Sequence, residues 1–128
     1  MKNELKKIFK GKKVLITGHT GFKGSWLTLW LALTEAKITG VSNELVTSPS
    51  HFKAINIKKR INHKILDIRN FKKLNILIKK TKPDFIFHLA AQSLVKKSYN
   101  DPLLTWGSNT FGTLNLLESL RNLKKIVL

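Results

Sequence analysis

The stretch "VLITGHTGFKGSWL", residues 14–27, decides the fold expected for this chain. An apolar run ends at Thr17, a glycine-rich turn follows, and a second apolar stretch begins after the turn. Three glycines, Gly18, Gly21 and Gly24, stand three residues apart. Glycines at this spacing, between a strand and a helix, are typical of a backbone that approaches the pyrophosphate of a dinucleotide.

Each glycine of this turn has a physical reason to lack a side chain. Gly18 permits a tight turn with positive φ, Gly21 leaves room for phosphates, and Gly24 lets the helix pack closely on the strand. The first N–H groups of the helix, around Phe22 and Lys23, would favour negative charge. A turn without chemical meaning is the alternative, but the predicted strand and helix on either side favour dinucleotide binding. A P-loop does not fit, because glycine rather than Ser or Thr follows Lys23.

Strand and helix patterns alternate along the rest of the chain. Apolar runs predict strands over residues 13–17, 37–42, 63–68, 84–91 and 124–128. Helical spacing of apolar residues predicts helices over 22–35, 70–81 and 103–123. Residues 43–60 are predicted to be a loop with one helical turn. The fold class is therefore α/β, a Rossmann-type doubly wound parallel sheet of about five strands.

The composition limits the classes of function. The chain of 128 residues has a net charge of +17, but only three of its 24 basic residues are arginines. A generally lysine-rich composition is favoured over nucleic-acid binding, while attraction of a phosphorylated ligand stays open. There is no cysteine, which fits a reducing compartment, and no run of about 20 apolar residues that could cross a bilayer. We therefore expect a cytoplasmic protein with neither a nucleic-acid nor a membrane partner.

Four short motifs resemble the extended short-chain dehydrogenase/reductase family. "TGHTGFKG" (17–24) resembles its glycine pattern, and "DIR" (67–69), "HLAAQ" (88–92) and "SNTFGTLNLLE" (108–118) resemble its later motifs in the same order. The longer strings around them are similar to the CDP-glucose 4,6-dehydratase branch, which makes sugars for bacterial surface polysaccharides. The resemblance implies NAD as cofactor, CDP-glucose as substrate and a homo-oligomer when the enzyme is complete. Another NAD-dependent sugar-nucleotide epimerase or dehydratase is the alternative within the family.

The resemblance also implies the residues that meet each ligand. Asp67 would accept a hydrogen bond from the adenine amino group beside the Ile68 backbone, although Asp67 capping the helix that follows is an alternative. Ser93 would reach the sugar nucleotide, and Asn109 would be a structural polar residue. The implied cofactor-binding residues are Gly18, His19, Thr20, Gly21, Phe22, Lys23, Gly24, Asp67, Ile68, Leu89, Ala90, Ala91, Gln92 and Ser108.

The histidines and two of the tryptophans are not expected to take part in acid–base or metal chemistry. His88 alternates with apolar residues and is expected to be buried, while His19 is expected to line the pyrophosphate rather than to transfer protons. His51 and His63 stand alone without metal-ligand spacing, so no metal site is expected. Trp26 and Trp30, four residues apart on one helix, are expected to belong to the core.

The choice between NAD and NADP rests on the end of the second predicted strand. A dinucleotide fold usually places Asp or Glu there, on the ribose 2′-hydroxyl. This chain has Ser42 and Asn43, and Glu44 is the nearest acid. NAD is predicted by resemblance, and the residues alone leave NADP open.

The catalytic residues of the family are not found in this chain. Members use a Tyr-x-x-x-Lys pair, in which the lysine lowers the pKa of the tyrosine base. The single tyrosine, Tyr99, is followed four residues later by Leu103. We expect residues 1–128 to form an incomplete dinucleotide-binding domain, truncated before the catalytic and substrate-binding parts and inert alone as a dehydratase. A non-catalytic nucleotide-binding or interaction module is the alternative.

Overall fold

The computed structural model describes residues 2–44, 48–123 and 126–128. Its sheet has the order β3-β2-β1-β4, and every neighbouring pair is parallel. The strands are β1 (Lys13–Thr17), β2 (Lys37–Ser42), β3 (Asn62–Ile65) and β4 (Phe85–His88). The helices are α1 (Lys2–Phe9), α2 (Phe22–Leu33), α3 (His51–Ala54), α4 (Phe71–Thr81), α5 (Val95–Asn100), α6 (Pro102–Trp106) and α7 (Gly112–Leu120). A 3₁₀ turn (Ile57–Arg60) precedes β3, and a π-helical segment (Gly107–Phe111) joins α6 to α7.

Helices cover both faces of the sheet, as the doubly wound prediction requires. On β1, Val14 and Ile16 pack with Leu31 of α2, whereas Leu15 packs on the opposite face with Leu74 of α4 and Leu116 of α7. Alternate residues of one strand point to opposite faces, so a fully buried strand is apolar on both. The predicted α/β parallel fold is confirmed.

The predicted fifth strand is represented by a single bridge. Val127 pairs in parallel with Phe85; the Ile86 N–H donates to the Val127 carbonyl at 2.8 Å, and the Val127 N–H donates to the Asp84 carbonyl at 3.2 Å. Residues 124 and 125 of the predicted strand lie outside the described residues. Val127 therefore occupies the position beside β4 where a fifth parallel strand is expected.

Several predicted bounds were wrong. The third strand ends at Ile65 rather than at residue 68, and the fourth ends at His88 rather than at residue 91. After β4 the Leu89 N–H still bonds to the Thr17 carbonyl at 3.0 Å, but the chain then crosses the glycine turn. The predicted helix over 103–123 is interrupted by the π-helical segment. Helices α1 and α5 were not predicted.

The assignment of Trp26 and Trp30 to the core was wrong. Trp26 is 43% exposed and Trp30 is 59% exposed. The face of α2 that meets the sheet is built instead from small residues and one leucine: Gly24, Ser25, Thr28 and Leu31. Small residues allow a helix to approach a sheet closely, so the bulky face turns outward. Among the described residues no helix is long and apolar enough to cross a membrane.

Candidate functional site

The glycine turn lies where β1 ends, at the carboxyl edge of the sheet. Gly18 has φ +74°, and its N–H donates to the Val41 carbonyl of β2 at 2.7 Å. A Cβ on Gly18 would lie 2.6 Å from the Leu89 carbonyl carbon and 2.7 Å from the Ala90 nitrogen. Two features therefore require glycine at position 18: its left-handed backbone, and the close approach of the chain that leaves β4.

Gly24 and Gly21 differ in what surrounds them. A Cβ on Gly24 would overlap the Gly18 carbonyl oxygen, because α2 packs directly on the turn. A Cβ on Gly21 would meet only that same oxygen, at 3.3 Å, so the protein itself leaves space beside Gly21. Gly21 also precedes α2 without a side-chain cap. The first residues of α2, Phe22 and Lys23, are exposed and the helix start has no side-chain cap, which is the arrangement that binds phosphate groups.

His19 and Thr20 anchor the turn to β2. The Thr20 N–H donates to Ser42 Oγ at 3.3 Å, and its hydroxyl donates to the Glu44 carbonyl at 2.8 Å. The His19 side chain is fully buried and points away from the open space, with Nδ1 at 3.1 Å from Ser42 Oγ and Nε2 at 2.7 Å from His63 Nδ1. A pyrophosphate would therefore meet the backbone of His19, whose ring is occupied within the protein.

Burial keeps the His19 ring neutral. It lowers the pKa of His19 to about 4; the Val41 carbonyl opposes this shift, and His63 adds to it. The pKa of His63 is also lowered, first by burial and then by the charge of Lys58. The interpretation of His63 as an isolated residue was wrong. A histidine placed two strands away from the turn gives no signal in the sequence, because the register of β3 decides the contact.

Asp67 lies after β3 and is held by its neighbour Arg69. The Arg69 N–H donates to Asp67 Oδ1 at 2.9 Å, and its Nη2 donates to Oδ2 at 2.6 Å. These bonds lower the pKa of the Asp67 carboxyl. The alternative that Asp67 caps the next helix was wrong, because Asn70 caps α4 by accepting a bond from the Lys73 N–H at 3.0 Å.

Ile68 is buried and its backbone is fixed by α7. The Asn115 amide donates to the Ile68 carbonyl at 3.1 Å and to the Arg69 carbonyl at 3.0 Å. Gly112 has no side chain because a Cβ there would lie 2.6 Å from Ile68 Cδ1. The segment after β3 therefore has a shape that α7 defines.

The segment after β4 is held by the π-helical segment. Asn109 Oδ1 accepts from the Gln92 N–H at 2.7 Å, while its Nδ2 donates to the Gln92 carbonyl at 3.0 Å. The Gln92 side chain is also engaged, since its Nε2 donates to the Leu94 carbonyl at 3.1 Å and to Thr105 Oγ1 at 3.0 Å. Ser108 is half-buried on the π-helical segment, and Ser93 is exposed next to Gln92. Ala90 and Ala91, between the turn and Gln92, complete this edge of the site.

We expect Asn109→Ala to loosen this edge without unfolding the sheet. The substitution removes two hydrogen bonds to the Gln92 backbone, so the free energy of unfolding should fall by about 1–2 kcal/mol. Amide exchange of Gln92 should increase more than that of Leu15 in β1. Thr110→Ala, an exposed substitution on the same segment, is the control. Equal exchange at Gln92 in both variants would show that Asn109 does not hold the segment.

His88 and His51 each link two elements. His88 is half-buried, with Nδ1 at 2.6 Å from Thr17 Oγ1 and Nε2 at 3.0 Å from Thr113 Oγ1, and burial lowers its pKa. This arrangement agrees with its predicted structural role. His51 was interpreted as isolated, but its Nδ1 lies 2.7 Å from Ser25 Oγ and its ring stacks on Trp26 at 4.3 Å between centroids.

The chain is similar to known proteins over most of its length. A family model described as GDP-mannose 4,6 dehydratase matches residues 15–127, which include the glycine turn and the segments after β3 and β4. A CDP-glucose 4,6-dehydratase from Salmonella typhimurium is 43% identical over 125 residues, covering 95% of this chain and 35% of the relative. A UDP-glucose 4-epimerase from Mycoplasma genitalium is 30% identical, with 88% and 33% covered. The chain therefore spans about a third of the length of the curated relatives it matches.

Solved structures give the same result for the fold. Epimerase Mth375 from Methanothermobacter thermautotrophicus has a TM-score of 0.82 at 31% identity, over 97% of this chain and 36% of that one. The UDP-glucose 4-epimerase of Thermus thermophilus, solved as a complex with NAD, has a TM-score of 0.74 at 31% identity, over 85% and 33%. The four-stranded parallel arrangement is thus a Rossmann-like fold that both structures contain.

Proposed function

Because the chain belongs to the NAD-dependent epimerase/dehydratase family, we propose that it is the dinucleotide-binding part of a sugar-nucleotide 4,6-dehydratase that acts on CDP-glucose. The identity of 43% to a CDP-glucose 4,6-dehydratase supports this substrate over that of the UDP-glucose epimerase, to which the identity is 30%. The reaction would oxidise the glucose C4 hydroxyl, eliminate water across C5–C6 and return hydride to C6. NAD would supply the hydride acceptor and donor.

The observation that carries the proposal is the space beside Gly21. The protein fills the positions that side chains would take at Gly18 and Gly24, so those glycines have a reason within the fold. At Gly21 the fold provides no such reason, since the Cβ position is limited only by one oxygen at 3.3 Å. The N–H groups of Phe22 and Lys23 begin an uncapped helix at the same point. A pyrophosphate placed there would be held by backbone N–H groups and the partial positive charge of the helix start.

The remaining ligand contacts follow from the same edge of the sheet. Asp67 is proposed to bind the adenine amino group with the Ile68 backbone beside it, while the backbone from Leu89 to Gln92 passes under the nicotinamide ribose. Ser108 would contact the cofactor, and Ser93 would reach the sugar nucleotide. These residues bind and orient the ligands. Tyr99 and Leu103 do not form the Tyr-x-x-x-Lys pair, so no proton transfer is assigned to this chain.

Gly21→Val tests the proposed cofactor site. We expect the substitution to abolish NAD binding, because the branched side chain would occupy the space of the pyrophosphate, whereas the fold should survive since Gly21 has φ −68°. Isothermal calorimetry with NAD and NADP measures binding, and urea unfolding checks the fold. Thr110→Ala, an exposed substitution on the π-helical segment, is the control and should keep the affinity of the wild type.

The calorimetric result also distinguishes a cofactor site from a purely structural turn, and NAD from NADP. Equal NAD affinity in the wild type and in Gly21→Val would mean that the motif is only a turn. Binding of NADP in preference to NAD would correct the cofactor. At the end of β2, Ser42 is buried and already bonded to Thr20 and His19, and Glu44 is the nearest acid in the sequence.

A further inference from the structure

An imidazole pair lies under the nucleotide-binding turn, on the side away from the proposed cofactor. The His19 ring extends from the end of β1 across β2 to His63 on β3, where Nε2 and Nδ1 are 2.7 Å apart. The ring can cross β2 only because residue 40 is glycine, since a Cβ there would overlap the His19 ring. The pair thus connects the turn to β3 through the space that the missing side chain of Gly40 leaves.

The pair fixes the backbone of the turn through one serine. His19 Nδ1 lies 3.1 Å from Ser42 Oγ, and the same oxygen accepts from the Thr20 N–H at 3.3 Å. Val41 holds Gly18, the residue before His19, because the Val41 carbonyl accepts a hydrogen bond from the Gly18 N–H at 2.7 Å. The Thr20 N–H is therefore directed by a serine that the buried ring also bonds, and the Gly18 N–H beside it is directed by the backbone of β2.

Proton uptake destabilises this pair. A direct bond between two imidazoles requires one N–H and one lone pair, so two protonated rings would place two donors against each other. One proton would already leave a cation in a buried site. The charge of Lys58 in the 3₁₀ turn repels a proton on His63, and Glu44, whose side chain is exposed, contacts the turn through its backbone carbonyl. On α3 the neighbour is the uncharged ring of Phe52, with its centroid 5.2 Å from that of His19.

We propose that His19 and His63 are positioning residues of the nucleotide-binding turn, which hold residues 18–20 against β2 while both rings are neutral and release them on proton uptake. The consequence for NAD rests on the proposed function: acidification should weaken NAD binding through the shape of the turn. The His19 ring then supports the turn from the side away from the cofactor, and only the His19 backbone would face the cofactor.

Amide exchange of the 128-residue chain, followed by NMR between pH 7.5 and 5, tests the positioning role without any ligand. A local opening can expose a histidine that then takes up a proton. Below the pKa of the exposed ring, the equilibrium constant for such an opening rises about tenfold per pH unit for each proton taken up. We expect the protection of the Gly18 and Thr20 amides, corrected for intrinsic chemistry, to fall at least tenfold per pH unit below about pH 6.5, and to stay below that of Leu15, which global unfolding exposes. If these amides have the same protection as Leu15 at every pH, they open only with the whole fold and the inference is wrong.

His63→Gln and His51→Gln form the matched pair of variants. A glutamine at position 63 can still bond to His19 Nε2 but does not titrate, so the fall in protection should become shallower. A glutamine at position 51 removes a histidine that bonds to Ser25 and not to this pair, so the slope of the wild type should remain. Equal slopes in wild type and His63→Gln would overturn the inference. If His63→Gln does not fold, the ¹⁵N shifts of the wild-type rings decide: His19 and His63 must gain protons together with the loss of Gly18 protection.

Calorimetry separates this inference from the proposed function. NAD affinity should fall several-fold more between pH 7.5 and 5.5 in the wild type than in His63→Gln. An identical fall in both proteins would contradict the link to the cofactor. If the wild type binds no NAD at any pH, the proposed function fails, while the exchange slopes still decide whether the pair positions the turn.

Discussion

Gly18→Ala should lower the free energy of unfolding by at least about 3 kcal/mol, and a chain with modest stability would not fold. Two costs combine. A left-handed backbone costs an alanine about 1–2 kcal/mol. In addition, its Cβ would lie 2.6 Å from the backbone of Leu89, so the segment that leaves β4 would have to move. Urea unfolding measures the sum.

Gly11→Ala separates the two costs. Gly11 has the same φ of +74°, but nothing lies within 4 Å of the position of its Cβ. This variant should therefore show only the backbone cost of about 1–2 kcal/mol. Equal destabilisation by Gly11→Ala and Gly18→Ala would show that the crossing of the chain over Gly18 does not constrain that residue.

Acidification should destabilise the chain before its carboxylates titrate. Burial lowers the pKa of His19 from 6.5 to about 4, so the unfolded chain takes up a proton at a pH where the folded chain does not. The stability from neutral His19 is complete above pH 6.5 and is lost as the pH falls towards 4. The loss is about 1.4 kcal/mol per pH unit, or about 3 kcal/mol over the whole range. The lowered pKa values of His63 and His88 act in the same direction.

Urea unfolding at pH 7, 6 and 5 measures this dependence. His19→Gln should be less stable than the wild type at pH 7, because a buried ring and its bonds are lost, but its stability should change less with pH. A free energy of unfolding that stays constant in the wild type between pH 7 and pH 5 would contradict the prediction.

The sequence was sufficient for the parts of the fold that depend on local pattern. The bounds of β1 and β2 were predicted correctly, because short apolar runs beside a glycine turn have few alternative structures. The roles of Gly18 and Gly24 could also be predicted from the sequence, since a tight turn with positive φ and a helix packed closely on a strand both require glycine. Whether Gly21 meets a ligand stays a prediction.

The sequence was insufficient where a choice depends on tertiary contacts. Both sides of α2 are apolar, so periodicity could not show that Gly24 and Thr28 face the sheet while Trp30 faces outward. The bond between His19 and His63 depends on the register of β3 against β2, which no local pattern reports. Asp67 and Asn70 are both good helix caps, and only the position of the first turn of α4 selects Asn70.

The π-helical segment makes the chain sensitive to the loss of a single residue. The Gly112 N–H donates to the Gly107 carbonyl, five residues back, so this turn contains one residue more than an α-helical turn. Deleting Thr110 or Phe111 would restore regular geometry but would rotate α7 relative to Asn109 by about 100°. Asn109 could then keep its bond to Gln92, or Asn115 could keep its bond to Ile68, but not both. In the history of such a gene, deletions of residue 110 or 111 should be purged far more strictly than substitutions at the exposed Thr110.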